Sequence, residues 1–170
     1  MKILGIDPGL EITGFACIQL SENFSFANLR EDILLTSHGM IKTHSQQPME
    51  EKLKYIHSNI KKLIREVKPD VVVIEEIYSK PLHPRTGLKM GHVKGVVELA
   101  VSQAGIKSFK FTSSKVKRIL TGRGNATKEQ LARLISEQFL IKDLNSHHES
   151  DALAVALAYV FSNYRKVSIT

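Results

Sequence analysis

The sequence predicts an α/β fold in which a mixed, five-stranded sheet is flanked by helices. Three strand-like segments open the chain without a helix between them, which favours an antiparallel arrangement of the first three strands. Helix-like and strand-like segments then alternate, and VVVIEEIY at 71–78 is apolar except for two carboxylates, a pattern typical of a central parallel strand. With 170 residues and 42% hydrophobic content the chain can bury one sizeable core, so residues 1–170 are interpreted as a single domain.

The first predicted strand is KILGID, which ends on Asp7 and is followed at once by Pro8 and Gly9. A charge at the end of an apolar run indicates the point where a strand leaves the core, and Pro and Gly are typical of the turn that follows. Two further segments rich in Ile, Leu and aromatic residues have the composition of strands. The three N-terminal strands are predicted at 2–7, 12–20 and about 33–43.

The predicted helices alternate with the later strands. Over 49–67 apolar residues recur at helical spacing while Lys and Glu fill the opposite face, and Pro69 follows as a stop. Thr127 and Gln130 have the spacing of a capping box, which predicts the start of another helix. The remaining predicted elements are a helix over 87–104, a strand over 107–112, a short basic helix over 114–121 stopped by Gly122 and Gly124, a helix over 128–139 and a last helix over about 149–163.

The composition of the chain indicates the class of binding partner and excludes some classes of protein. Lys and Arg number 24 against 17 Asp and Glu, and this excess of positive charge favours a polyanion such as nucleic acid, with an inert basic surface as the alternative. No apolar run reaches the roughly 18 residues of a membrane span, and no secretory signal pattern is present, so a soluble, cytoplasmic protein is expected. The lone Cys17 excludes a disulfide framework within the chain, and a small buried hydrophobe is favoured over a catalytic thiol.

Acidic residues stand at corresponding ends of the predicted elements. Asp7 ends the first strand, and Glu75 and Glu76 lie near the C-terminal end of the fourth. Ligand crevices in α/β sheets form outside the carboxyl ends of the strands. His148 and Asp151, at i and i+3, share one face at the start of the last helix. A shared site is therefore geometrically plausible.

Carboxylates brought together inside a fold repel one another and lose hydration unless a cation neutralises them. Oxygen-dominated ligands suit Mg²⁺ or Mn²⁺, and a carboxylate bridging two such ions is an arrangement used for in-line attack on a phosphodiester. The structural alternatives are Asp7 as a turn former, Asp151 as a favourable acid in the first helical turn and the glutamates as a solvated strand end. His147, at i to i+4 from Asp151, is nearly as well placed as His148, so spacing alone leaves the histidine open.

Five motifs follow one another along the chain: GIDPG (5–9), IEE followed by an aromatic residue (74–78), LKMGHVKGV (88–96), KVKRILTGRGNATKEQL (115–131) and H-x-x-DALA (148–154). Together they resemble the RuvC family of Holliday junction resolvases, over about residues 2–163. The resemblance implies an RNase H-like fold and a homodimer that cuts four-way DNA junctions symmetrically with Mg²⁺ in recombination and repair. It also suggests a branch-migration helicase complex as a partner. Dimer packing is expected on the helix that contains Gly91 and Gly95, although packing against the sheet explains these glycines equally well.

The resemblance also implies which residues bind metal and catalyse. It assigns both roles to Asp7, Glu75, His148 and Asp151, with two Mg²⁺ ions per subunit that Mn²⁺ can replace. Glu75 is selected because its neighbour Glu76 occupies a position that is commonly Gln in the family. His148 is selected because the family's ligand lies three residues before the aspartate of DALA. Some members carry Asp where His148 stands, so an orienting or proton-transferring role for this imidazole is the alternative to metal ligation.

A DNA-binding surface is implied by the same resemblance. Lys117 and Lys128 match basic positions that the family uses near DNA. Tyr78 matches an aromatic residue beside the junction, where it could stack on an unpaired base. The neighbouring candidates for DNA contact are Lys115, Arg118 and Arg123. The structural alternatives are a solvated basic face and a core tyrosine.

The chain departs from the family pattern in three places. The segment 21–32 is longer than usual, and the loop 79–87 lacks the family's Asn-containing pattern, which leaves the cleavage sequence preference open. Glu149 and Ser150 replace a pair of small residues, and we expect Glu149 to lie beside the metal cluster and face outward. The alternative functions are another RNase H-like nuclease acting on hybrid or structured RNA, an actin-type ATPase module suggested only by GIDPG, and a non-catalytic junction-binding protein.

Overall fold

The computed structural model describes residues 1–76, 84–139 and 146–164. The strands are β1 (Lys2–Asp7), β2 (Ile12–Leu20), β3 (Ile33–Lys42), β4 (Val71–Glu76) and β5 (Lys107–Thr112). They form one sheet in the order β3-β2-β1-β4-β5. β2 is antiparallel to both β1 and β3, whereas β4 is parallel to β1 and β5 is parallel to β4. The predicted α/β fold, with a mixed five-stranded sheet and antiparallel first strands, is confirmed.

The bounds of the helices differ from the predicted bounds mainly at the first residues of the helices. They are α1 (Leu29–Asp32), preceded by a 3-10 turn at Phe26–Asn28, then α2 (Met49–Val67), α3 (Pro84–Gln103), α4 (Ser113–Thr121), α5 (Lys128–Phe139) and α6 (His147–Tyr164). α3 begins three residues earlier than predicted, at Pro84, because proline fits the first helical position, where no backbone N–H is needed. The predicted capping box forms, since Thr127 N donates to Gln130 Oε1 and Gln130 N donates to Thr127 Oγ1.

The helices cover the sheet on both faces, and each face has its own hydrophobic core. On one face α6 lies over β1 and β2, with α4 and α5 packed beside it. On the other face α2 and α3 pack together and bury the opposite sides of β1 and β4. Cys17 is fully buried in this second core, as predicted. In the described ranges no helix combines the length and the apolar character that a membrane crossing requires.

α6 is the central helix and lies unusually close to the sheet. Eleven of its residues are buried, from Glu149 to Val160. A Cβ atom added at Gly5 of β1 would overlap the carbonyl oxygen of Ala152, and one added at Gly14 of β2 would overlap that of His148. Only glycine permits this approach, which brings the first turn of α6 down to the C-terminal end of β1.

The glycines of α3 have a different environment. Apart from the adjacent residues and the nearby backbone of α3 itself, no described atom lies within 4 Å of a Cβ added at Gly91 or Gly95. Packing of α3 against the sheet therefore does not explain these residues in the part of the chain that the structure describes.

Candidate metal centre

The C-terminal ends of β1 and β4 and the first turn of α6 meet at one edge of the sheet. β1 and β4 are parallel neighbours, so Asp7 and Glu75 at their ends lie side by side. Gly14, which pairs with Asp7 across β1 and β2, admits the start of α6 and with it His148 and Asp151. The predicted convergence of these elements therefore occurs in the structure.

Three carboxylates form the centre of this site. Asp7, Glu75 and Asp151 each contribute an oxygen atom, and the three oxygens lie within 4.8 Å of one another. The side chains of Asp7 and Asp151 retain only 14% and 16% exposure. Three like charges in so small and dry a space are electrostatically unfavourable unless protons or cations compensate them.

Burial and the neighbouring negative charges both favour protonation of the cluster when no ion is bound. Burial raises the pKa of Glu75 to about 8, and the negative charges of Asp7 and Asp151 add to the rise. Burial also raises the pKa of Asp7, although its hydrogen bond with His148 opposes the change. At neutral pH the ion-free cluster therefore holds a proton that a divalent cation would displace.

Lys128 supplies a positive charge at the cluster from the start of α5. Its Nζ lies 2.6 Å from Asp151 Oδ2, and this hydrogen bond raises the pKa of the lysine. The ammonium group lowers the pKa of Glu75 and of Asp7 through its charge, which partly offsets their mutual repulsion. The resemblance assigned Lys128 to DNA contact, and the structure places it at the carboxylates as well.

His148 contacts the cluster through Asp7. Its Nδ1 lies 2.8 Å from Asp7 Oδ2, and 41% of the side chain is exposed. Its ring nitrogens are not part of the group formed by the three carboxylate oxygens. His147 is exposed and does not line the site, so the structure separates the two histidines that spacing left open.

The structure also separates Glu75 from Glu76. Glu76 Oε1 lies 3.1 Å from Lys94 Nζ on α3, and Lys94 is in turn 3.9 Å from Glu98 Oε1. Glu75, by contrast, points at Asp7 and Asp151. The ion pair with Lys94 was not predicted, because no sequence spacing relates a strand end to a residue on the following helix.

These residues fit a divalent cation. Carboxylate oxygens are hard ligands of the kind that Mg²⁺ and Mn²⁺ prefer. The pKa of Glu75 is raised by burial first and by the negative charges of Asp7 and Asp151 second, and a bound cation would offset both effects. Asp7, Glu75 and Asp151 are the described side chains grouped to hold such an ion.

A cleft of about 730 Å³ opens over the carboxylates. Leu10 and Met90 contribute apolar surface to it, while Thr112, Ser113 and Ser114 at the start of α4 contribute hydroxyl groups.

The predicted basic residues continue from the cleft along α4 and the loop after it. Lys115, Arg118 and Arg123 are exposed, and Lys117 is partly buried. Lys115 Nζ lies 4.2 Å above the ring of Phe111, which holds the charge at the surface. The predicted stacking residue Tyr78 lies outside the described residues.

One expectation is wrong, because Glu149 does not face outward beside the cluster. It is only 3% exposed, and its Oε1 lies 2.9 Å from His38 Nδ1 on β3. Ser146 Oγ accepts a hydrogen bond from Glu149 N at 3.2 Å and donates one to Glu149 Oε2 at 3.1 Å. The spacing S-x-x-E at 146–149 is that of a capping box, a signal in the sequence that could have predicted this contact.

Comparisons with known proteins agree with the geometry. Residues 3–159 match the family model described as Crossover junction endodeoxyribonuclease RuvC. The protein of that name from Ehrlichia chaffeensis is 30% identical over 162 residues, which cover 95% of this chain and 97% of the relative. The structure of Thermus thermophilus RuvC aligns with a TM-score of 0.81 and 26% identity over 98% of this chain and 96% of that one. A second structure, of T. thermophilus RuvC in complex with Holliday junction substrate, aligns with the same TM-score and coverage at 24% identity. The chain belongs to the RuvC family of crossover junction endodeoxyribonucleases.

Proposed function

We propose that this protein resolves four-way DNA junctions by metal-dependent hydrolysis of one phosphodiester in each of two opposed strands. The observation that carries the proposal is the convergence of Asp7, Glu75 and Asp151 within 4.8 Å at the base of an open cleft. A nuclease with this fold needs acidic side chains at that edge of the sheet, and family membership narrows the substrate to a junction.

The proposed cofactor is Mg²⁺, with Mn²⁺ as a substitute and two ions per subunit. Asp7, Glu75 and Asp151 would hold the ions, with His148 as a further ligand or as the group that orients Asp7. When bound, such ions lower the pKa of the attacking water and stabilise the leaving oxygen. His148 Nδ1 lies 2.8 Å from Asp7 Oδ2, a contact through which the imidazole can orient this carboxylate.

Lys128 has two tasks in this proposal. In the ion-free protein its ammonium group compensates Asp151 at 2.6 Å. Its side chain is 56% exposed, so it can turn toward a phosphate when a metal takes its place at Asp151. It would then add positive charge next to the scissile group, as Lys side chains do at phosphoryl-transfer sites.

Contact with the DNA backbone is assigned to α4 and the loop that follows it. Lys115, Lys117, Arg118 and Arg123 would neutralise phosphates on one side of the cleft, and Tyr78 would stack on a base at the crossover. This contact is sequence-independent, so it would position the junction without reading bases.

A homodimer is proposed to pack through α3. Leu88 is 68% exposed and Leu99 is 50% exposed, and together with Gly91 and Gly95 they follow the spacing of one helix face. Two large exposed apolar side chains beside two open glycines can receive the same face of a second copy in a twofold contact. The dimer would present two metal centres to two strands, and a branch-migration helicase complex is the proposed partner in the cell.

The test is cleavage of a mobile four-way junction beside a linear duplex of the same sequence, with and without Mg²⁺. We expect paired nicks in the junction alone, only with metal. Glu75→Gln should abolish cutting, whereas the matched variant Glu76→Gln, which alters the neighbour held by Lys94, should retain it. Asp7→Asn should bind the junction without cutting it.

Several results would contradict the proposal. They are wild-type cleavage of RNA–DNA hybrid in preference to junctions, junction binding without cleavage in Mg²⁺ or Mn²⁺, and equal loss of cutting in Glu75→Gln and Glu76→Gln.

A further inference from the structure

Glu149 is a buried carboxylate that the proposed chemistry does not use. It is 3% exposed, and its two oxygens have different partners: Oε1 meets His38 Nδ1 at 2.9 Å and Oε2 accepts from Ser146 Oγ at 3.1 Å. A buried charged group without partners is strongly unfavourable, so these contacts help to keep this carboxylate inside the fold.

The two contacts tie α6 to a distant part of the sheet. His38 lies on β3, an edge strand of the sheet, whereas Asp7 lies on the central β1. Ser146 precedes the first residue of α6 and also accepts from Glu149 N at 3.2 Å. The path Ser146–Glu149–His38 therefore fixes the first turn of α6 at a point on its circumference away from the carboxylates.

Because of helix geometry, a contact that holds Glu149 also limits the rotation of the first turn of α6. Successive residues are rotated by about 100° around a helix axis, so Glu149 lies about 160° from Asp151. A rotation of the first turn that moved Glu149 away from His38 would move Asp151 and His148 away from Asp7 by a similar angle. The contact between Gly14 and the backbone of His148 keeps the start of α6 close to the sheet, and the contacts of Glu149 act on the rotation of this turn.

We propose that the Ser146–Glu149–His38 contacts are a positioning device that holds His148 and Asp151 in the orientation the metal centre requires. The inference rests on the proposed metal site and deepens it, because it assigns an effect on metal affinity to His38, which lies on an edge strand and does not line the cleft. Residues that orient metal ligands through hydrogen bonds change metal affinity by about 10–100-fold when they are removed.

The test measures Mn²⁺ binding, by electron paramagnetic resonance of the free ion, and unfolding in EDTA. In His38→Leu the donor to Glu149 is lost, and we expect the Mn²⁺ Kd to rise about tenfold or more. In His38→Asn the amide nitrogen stands near the position of Nδ1, so the Kd should return to within about threefold of wild type. If His38 only stabilised the fold, both variants would unfold at a lower temperature but would bind Mn²⁺ with the same Kd as each other.

A second variant keeps the test decisive if His38→Leu does not fold. Glu149→Ala removes the buried charge together with its anchor, and His38, whose side chain is 28% exposed, can then bind water. Its Mn²⁺ Kd should rise as in His38→Leu. The double variant with both His38→Leu and Glu149→Ala should bind Mn²⁺ no more weakly than either single variant, because both changes break the same set of contacts. Wild-type Mn²⁺ affinity in Glu149→Ala, or additive effects in the double variant, would overturn the inference.

Asp7→Asn distinguishes failure of this inference from failure of the proposed site. If wild type and Asp7→Asn bind Mn²⁺ equally, the metal site itself is wrongly placed. If Asp7→Asn loses binding while His38→Leu and Glu149→Ala keep wild-type affinity, the metal site stands and the positioning role is refuted.

Discussion

The proton held by the carboxylate cluster predicts how metal affinity depends on pH. Burial and the charges of Asp7 and Asp151 raise the pKa of Glu75 to about 8. A metal ligand must be deprotonated, so the ion competes with this proton for the carboxylate. Because Asp7 and Glu75 interact strongly, the proton belongs to the pair rather than to one residue.

The magnitude follows from the titration. With a pKa of about 8, roughly 90% of the sites are protonated at pH 7 and roughly 99% at pH 6. The Mn²⁺ Kd should therefore fall about tenfold per pH unit from pH 6 to pH 7, which is about 1.4 kcal/mol per unit, and level off above pH 8. Glu75→Gln leaves the rest of the cluster unchanged and isolates the effect of this one carboxylate.

The assay is free Mn²⁺ measured by electron paramagnetic resonance between pH 6 and 8.5. Wild type should show the steep dependence, while Glu75→Gln should bind more weakly and with a shallower slope. An equal Mn²⁺ Kd at pH 6.5 and pH 8.5, or the same slope in both proteins, would refute the account of a proton held by burial and like charges.

The other predictions concern stability, packing, DNA binding and assembly. The pKa of Glu75 is raised on folding from 4.5 to about 8, so the ion-free protein loses stability as pH rises through that window. This change amounts to about 3.5 kcal/mol between pH 5 and pH 8. In EDTA the unfolding temperature of wild type should therefore drop over that range by about 10 °C more than that of Glu75→Gln, and parallel curves would contradict this. Gly14→Ala forces a Cβ into the carbonyl of His148, and a loss of about 1–3 kcal/mol in unfolding free energy is expected; wild-type stability in denaturant melts would count against close packing of α6. Lys117→Ala should weaken junction binding and reduce the slope of log affinity against log salt concentration by about one. Filter binding measures this, and the control Lys62→Ala, on the surface of α2, should bind like wild type. Leu99→Glu should shift the protein to monomer in sedimentation, and an unchanged mass would show that α3 is not the interface.

The sequence predicted the sheet and the acidic edge because both depend on local patterns. An apolar run that ends in Asp7 needs no tertiary information to be interpreted, and the i, i+3 spacing of His148 and Asp151 follows from helix geometry alone. The bounds of the strands agree with the structure to within a residue in the described ranges for the same reason. Parallel pairing of the first and fourth strands then places Glu75 beside Asp7.

The features that the sequence did not predict depend on which surfaces of the fold come into contact. The spacing of Gly91 and Gly95 permitted two kinds of packing, and only the structure removes packing against the sheet in the described part. Glu149 was expected to face outward beside the metal cluster, yet a histidine 111 residues earlier in the chain provides its partner inside the fold. Lys94 pairs with Glu76 through a contact between a strand end and the next helix, which periodicity does not encode.

The dense packing of α6 has a consequence for how this protein tolerates mutation. The helix that carries His148 and Asp151 also fills the centre of one hydrophobic core, where Ala156 meets Gly5 of the first strand. A substitution that enlarges such a core position would displace the helix axis and the ligands at its start together. Neutral variation should therefore accumulate in the surface segments, while changes along the inner face of α6 should lower both the yield of folded protein and the rate of cutting.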